Sequence, residues 1–135
     1  MGQESIPVVT FDQFIAALPT ERQAPMRQVW ELVRAAVPAG YTEHIGPKYL
    51  EFRAGTQMYV GLTNQKNYAS LHLVPMYLMP AMQERLVAAA PTLRVGKGCV
   101  NFNRAEELPE VALAEIIGAT SLDAYVAQLQ RGRRE

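Results

Sequence analysis

The chain has 135 residues, of which 49% are hydrophobic and 19% are charged, and its 13 Lys and Arg balance its 13 Asp and Glu. This composition excludes an intrinsically disordered chain, which needs low hydrophobicity and a high net charge. It also argues against nucleic acid as a partner, since proteins that bind nucleic acid carry an excess of positive charge. The length suits one domain, and we predict a single domain over residues 1–135, with a core of about 10–130.

The cysteine content and the termini bear on location. Cys99 is the only cysteine, so no internal disulfide can form, and a full apolar core without disulfides predicts a reducing, cytoplasmic location. The N-terminus lacks the basic and apolar regions of a signal peptide. Apolar runs are broken well before the ~18 residues that a membrane span needs, so we predict no membrane partner.

The first forty residues have the pattern of two amphipathic helices. Thr10 followed by Gln13 is a capping box and predicts the start of the first helix. Thr20 and Gln23 repeat the capping signal for the second helix. Pro25 is tolerated only in a first turn, so this spacing predicts that the second helix begins shortly before it.

Three short strands follow, because the hydrophobic period changes from 3.6 to 2. Residues 49–54, 57–63 and 68–74 alternate between apolar and polar side chains, and their short connections predict an antiparallel meander. One side of the strands is apolar and consists of Leu50, Phe52, Met58, Val60, Leu62, Ala69, Leu71 and Leu73. Helices should cover this side, and we predict that Trp30 is buried there with Phe14, Leu71 and Phe102.

The rest of the chain returns to helices, with one further strand. Residues 79–90 have a helical pattern, and residues 93–103 are predicted as a strand that Gly96 and Gly98 weaken or bulge. A helix is predicted from Pro109, and Thr120 or Ser121 caps a last one. The order of elements predicts an α+β fold, a two-layer sandwich with helices packed on one face of a mostly antiparallel sheet.

The opposite side of the predicted strands carries the candidate binding residues. Alternation places on it Tyr49, Glu51, Tyr59, His72, Lys97 and Asn101. Two tyrosines, one histidine and single charges of each sign favour a binding surface over a solvated one, because tyrosine is enriched at interfaces. The neighbouring stretch from Glu43 to Lys48, bent by Gly46 and Pro47, is predicted at the sheet edge. The expected partner is a small molecule, another protein, or a second copy in a homodimer.

Metal, cofactor and catalytic chemistry have weaker signals. His44, His72 and Cys99 show no metal-ligand spacing along the chain, although adjacent strands could bring His72 and Cys99 together. The Gly-Lys-Gly at 96–98 lacks the spacing and the following Ser or Thr of a phosphate loop. We therefore predict no metal, no cofactor and no catalytic residue. A cryptic enzyme that uses Cys99, Lys97 and His72 remains an alternative.

Four stretches of sequence resemble a known family. They are Phe-Ile-Ala-Ala-Leu-Pro at 14–19, Glu-His-Ile-Gly-Pro-Lys-Tyr at 43–49, Gln-Lys-Asn-Tyr-Ala-Ser-Leu-His at 65–72, and Gly-Lys-Gly-Cys-Val-Asn-Phe at 96–102. In this order they resemble the YdhG/YdeI-like family, a bacterial domain of unknown function that is also described as frataxin-like or as an intracellular iron chaperone. The likeness runs from about residue 11 to residue 117.

The resemblance implies a frataxin-like sandwich and three charged family positions, Glu43, Lys66 and Lys97, that could share a pocket. Frataxin-type iron binding also needs a dense carboxylate ridge, because iron prefers hard oxygen ligands. This chain has only Asp12 and Asp123 as aspartates, and its first helices mix acidic residues with arginines. We therefore predict no tight iron site. The leading prediction is a ligand- or protein-binding module that uses the polar sheet face, and the alternative is an iron chaperone.

Overall fold

A computed structural model describes residues 9–134, and it confirms the predicted α+β class. The helices within this range are α1 Phe11–Ala16, α2 Thr20–Ala36, α3 Val74–Leu78, α4 Pro80–Ala89, α5 Glu110–Ile117 and α6 Leu122–Arg134. The strands are β1 Thr42–Ile45, β2 Tyr49–Ala54, β3 Gln57–Asn64, β4 Ala69–Leu73, β5 Arg94–Val95 and β6 Cys99–Phe102. A short 3₁₀ turn, Ala105–Glu107, connects β6 to α5.

The strands form one sheet in the order β1-β2-β3-β4-β6-β5, and every neighbouring pair is antiparallel. Successive strand pairings place one apolar row across the whole sheet. Its members are Ile45, Leu50, Leu62, Leu71, Val100 and Val95. This row faces the helices, so burying it joins the two layers of the sandwich.

The predicted core is confirmed around α2. Trp30 is fully buried, and its ring stacks on Phe52 of β2 with centroids 5.2 Å apart. Phe14, Leu71 and Phe102 are buried in the same apolar cluster. The 3.6-residue period therefore identified the inward face of α2 correctly.

The two N-terminal helices begin differently. The capping box of α1 is present, with the Thr10 hydroxyl accepting from the Gln13 amide at 3.1 Å. The predicted cap at Thr20 is wrong, because α2 begins at Thr20 itself, and the Gln23 side chain donates instead to the Leu18 carbonyl. Pro25 consequently lies inside the helix, beyond the first turn, where it cannot donate to the preceding turn.

Three other segments depart from the sequence prediction. Residues 42–45, near the predicted turn at Gly46, form the edge strand β1. The predicted helix at 79–90 is preceded by the short helix α3, which places Pro75 inside a helix. The predicted strand at 93–103 is a hairpin, because the chain turns at Gly96 to Gly98 and the Gly96 amide donates to the Cys99 carbonyl.

The C-terminal helices begin and end close to the predicted residues. Pro109 is the N-cap of α5 and not its first residue, so the helix begins one residue later than predicted, and Gly118 ends it. The Ser121 hydroxyl accepts from the Ala124 amide at 3.1 Å and so caps α6. Within the part of the chain that the structure describes, no helix is long and apolar enough to cross a membrane.

Candidate functional site

The sheet has a polar face that lies opposite the helices, which we call the open face. Strand pairing places on it the residues Thr42, His44, Tyr49, Glu51, Arg53, Met58, Gly61, Thr63, Ser70, His72, Arg94, Cys99 and Asn101. Most of these side chains are half-buried. The predicted candidates Tyr49, Glu51, His72 and Asn101 are therefore on the predicted face.

Tyr59 is the exception, because β3 contains a β-bulge. Phe52 pairs with Val60, but the next residue of β2, Arg53, pairs with Met58. Tyr59 is the extra residue of the bulge and turns to the helix side, where it is fully buried. Met58 moves to the open face. The sequence prediction for these two neighbours was therefore inverted.

Hydrogen bonds and stacking hold Tyr59 in the interior. Its hydroxyl donates to the Ile117 carbonyl at 2.7 Å and accepts from the Thr120 amide at 3.2 Å. Its ring stacks on Tyr41 at 4.1 Å and lies beside Tyr125 at 5.5 Å. Burial raises the pKa of all three phenols above the usual value of 10.0. They are neutral structural groups at neutral pH.

Glu43 lies at the sheet edge, as predicted, but it does so in a strand that was not predicted, and it points to the helix side. Its register partner is Phe52, whose side chain is in the core. One carboxylate oxygen accepts from the Trp30 indole at 2.7 Å and from Arg34 at 2.8 Å. This carboxylate fixes α2 against the edge strand, so both of its hydrogen-bond partners are protein groups and it does not face the open side.

A polar network covers the β1–β2 end of the open face. The Arg53 guanidinium donates to the Glu51 carboxylate and to the Tyr49 hydroxyl, and the first of these contacts is an ion pair. Both charged side chains are half-buried. These three side chains form hydrogen bonds with one another, so we expect this part of the face to be rigid.

The lysine candidates are at opposite ends of the sheet. Lys66 lies in the turn that precedes β4, and Lys97 lies in the β5–β6 turn, which hydrogen-bonds to Leu73 at the other end of β4. Both are exposed, as is Lys48 in the β1–β2 turn. Glu43, Lys66 and Lys97 therefore do not share a pocket, which corrects the expectation drawn from the family resemblance.

The open face continues into a cleft at the end of the sheet. This cleft, of about 510 Å³, is lined by Asn67, Tyr68, Thr92, Leu93, Arg94, Asn101, Phe102, Asn103 and Glu107. Only Asn101 was predicted. The others were missed because the hairpin that brings β5 alongside β6 was predicted as one strand.

The two charged groups of this cleft differ in their surroundings. The Glu107 carboxylate accepts from the amides of Asn103 at 2.7 Å and Arg104 at 3.1 Å. These hydrogen bonds lower the pKa of Glu107, so it is ionised and already bound to the backbone. Arg94 is exposed and forms none of the ion pairs found among residues 9–134. The Arg94 guanidinium is therefore the charged group of this cleft that can bind an anionic ligand.

A second cleft lies between α2 and α5. It measures about 800 Å³ and is lined by Gln28, Val29, Glu31, Leu32, Ala105, Glu106, Leu108, Glu110, Val111 and Leu113. Its charged side chains are all glutamates, so it would suit a cationic group and would repel an anionic one. It is distant from the open face, because it opens between helices.

The histidines and the cysteine lie in one row across the open face. The row runs His44, Glu51, Gly61, His72, Cys99, with one residue from each of five adjacent strands. His72 and Cys99 are thus directly opposite each other, although the spacing along the chain gave no such sign. Lys97 lies beyond the row, in the turn. Within the described range, three or more His, Cys, Asp or Glu side chains do not gather into a metal-binding group.

Comparison with known proteins gives no relative. No protein-family model matches the chain, no curated protein matches it, and no solved structure matches it. The resemblance to the YdhG/YdeI-like family therefore stays a prediction from sequence motifs.

Proposed function

We propose that this protein is a binding module for a small polar ligand, and that the ligand lies in the cleft where the open face meets the β5–β6 hairpin. One observation carries the proposal. A cleft of about 510 Å³ contains Asn101 of the open face together with Arg94. That volume is within the roughly 300–1,000 Å³ typical of small-molecule sites.

The lining indicates the chemistry of the ligand. Arg94 offers several N–H donors to an anionic group. The planar guanidinium of arginine is suited to bind phosphate or carboxylate through two hydrogen bonds at once. The side-chain amides of Asn67, Asn101 and Asn103 can donate to and accept from hydroxyl groups. Tyr68, which is 38% exposed, offers a ring face. These groups fit a molecule with one anionic group and several hydroxyls, such as a sugar phosphate.

The alternative of a frataxin-type iron chaperone has less support from the placement of the acidic residues. Iron chaperoning would need free carboxylates grouped on a surface. Asp12 pairs with Arg27, Glu43 with Arg34, and Glu115 with Arg85. The glutamates of the α2–α5 cleft are outside these pairs, but within the described residues they do not gather into a group that could hold a metal ion. A calorimetric titration with ferrous iron separates this function from the proposed one, since saturable sub-micromolar binding would favour the chaperone.

Calorimetry with ribose 5-phosphate tests the proposal, with ribose as the uncharged comparison. We expect saturable binding of the phosphate ester that is at least about tenfold weaker in Arg94→Met, because a hydrogen bond to a charged group contributes about 1.5–3 kcal/mol. Arg131→Met is the matched control, since Arg131 is exposed on α6 and outside the cleft. Equal binding by both variants, or no binding up to millimolar ligand, would contradict the proposal.

A further inference from the structure

Glu107 lines the ligand cleft with a carboxylate of which the protein uses only one oxygen. Its Oε1 accepts from the backbone amides of Asn103 at 2.7 Å and Arg104 at 3.1 Å. Among residues 9–134, Oε2 takes part in no hydrogen bond, and no ion pair includes Glu107. The two amides therefore fix the carboxylate on its turn, and Oε2 is left as an acceptor at the wall of the cleft.

The cleft has one cationic end and one anionic end. Arg94 is directly opposite Asn101 in the β5–β6 ladder, and Asn103, whose amide holds Glu107, follows two residues later. At a strand rise of about 3.3 Å per residue, this step is roughly 7 Å long, which is comparable with the span of a pentose phosphate. A phosphate is attracted to Arg94 and repelled by Glu107, so the two charges orient a sugar phosphate with its ring hydroxyls toward Glu107.

The free oxygen of Glu107 is suited to accept from two hydroxyl groups at once. The backbone hydrogen bonds to Oε1 lower the pKa of Glu107, so the carboxylate is charged at neutral pH. Carboxylates recognise ribose in dinucleotide-binding folds by accepting from its hydroxyl group. Two neighbouring hydroxyls on the same side of a furanose ring, a cis-diol, can converge on one such oxygen, whereas hydroxyls on opposite sides of the ring diverge.

We propose that Glu107 selects ribose phosphates with a free cis-diol at carbons 2 and 3, which binds Oε2 while the phosphate binds Arg94. The ligand class of the cleft is thereby narrowed from sugar phosphates to ribose phosphates. This selectivity rests on the function proposed above, since the diol reaches Glu107 only when the phosphate is in the cleft. A ligand that lacks the 2-hydroxyl, or carries it on the other side of the ring, removes water from the carboxylate without replacing the lost hydrogen bond.

Calorimetry with three pentose phosphates of equal charge tests this selectivity. Ribose 5-phosphate has the cis-diol, 2-deoxyribose 5-phosphate lacks the 2-hydroxyl, and arabinose 5-phosphate carries it on the opposite side of the ring. We expect the wild type to bind the ribose ester at least about tenfold more tightly than either of the others. In Glu107→Gln the three should bind alike, because glutamine keeps an oxygen for the backbone amides but presents an NH₂ group to the cleft. Circular dichroism confirms that the variant is folded.

Glu106→Gln is the matched control. Glu106 is the neighbour of Glu107 in the same 3₁₀ turn but lines the α2–α5 cleft, so this variant should keep the wild-type preference. If ribose 5-phosphate does not bind the wild type, the ligand cleft and its selectivity are both overturned. If it binds but either of the other esters binds equally well, the selectivity alone is overturned. A preference that persists in Glu107→Gln would overturn the role of Glu107 in it.

Discussion

The hydroxyl of Tyr59 donates a 2.7 Å hydrogen bond to the backbone carbonyl of Ile117, so a residue of the central sheet fixes the end of α5. The same hydroxyl accepts from the Thr120 amide, in the connection between α5 and α6. One bulged residue thus joins the sheet to both C-terminal helices. The bulge also delivers Met58 to the opposite face, so the core and the open face depend on the same local irregularity.

Removing the Tyr59 hydroxyl should destabilise the fold. Tyr59→Phe leaves the Ile117 carbonyl and the Thr120 amide without this partner in a buried place, and we expect the free energy of unfolding to fall by about 1–3 kcal/mol. Urea denaturation measures the change. Tyr77→Phe is the control, since Tyr77 is 63% exposed and its substitution should have no effect. Equal stability of the two variants would show that Tyr59 is not held as described.

The three buried tyrosines should make the fold sensitive to alkaline pH. Burial raises the pKa of Tyr41, Tyr59 and Tyr125 in the folded chain above 10.0. Their contribution to stability is fully present below the unfolded pKa and is lost as pH rises through the folded values, because the unfolded chain releases phenolic protons first. We expect unfolding free energy to fall from about pH 10 upward, and less steeply in Tyr59→Phe. A pH-independent stability in that range would contradict this.

Arg22 should be replaceable by an apolar residue without loss of stability. It is on the inward face of α2 with Met26, it is only 8% exposed, and its Nη1 has no hydrogen-bond partner among the described residues. A buried donor without a partner costs about 1–3 kcal/mol. Arg22→Met should therefore be as stable as the wild type or more stable in urea denaturation. A loss greater than about 1 kcal/mol would reveal a partner for Arg22.

Periodicity was sufficient to predict most of the fold. The alternation of Leu50 and Phe52 with Tyr49 and Glu51 placed β2 correctly, and the helical stripe of α2 placed Trp30 in the core. These patterns are local and are repeated over several residues, so one irregular position does not hide them.

The failures come from single residues whose effect depends on a distant partner. A bulge adds one residue to β3 and inverts the facing of its neighbours, and nothing in the local pattern at Tyr59 distinguishes it from regular alternation. Gly96 and Gly98 were recognised as irregular, but only the pairing of Val95 with Val100 shows that the chain reverses there. The ligand cleft was missed for this reason.

Only part of the candidate site was predicted, because the rest also depends on contacts between residues that are distant in the sequence. Strand alternation found His72 and Asn101 on the open face, since their strands are regular. It could not show that Arg94 lies beside Asn101, because cross-strand register is a tertiary property. Nor could it show that Glu43 points to Trp30, since β1 was predicted as part of a turn.

The most direct test of the proposed binding function is a ¹H–¹⁵N correlation spectrum of the labelled protein, titrated with ribose 5-phosphate. We expect the largest amide shifts on residues that line the cleft at the end of the open face, including Tyr68, Arg94, Asn101 and Asn103. The α2–α5 cleft around Glu31 and Val111 should not respond, because its glutamates repel a phosphate. Shifts confined to the α2–α5 cleft, or no saturable shifts anywhere, would contradict a ligand site at the end of the open face.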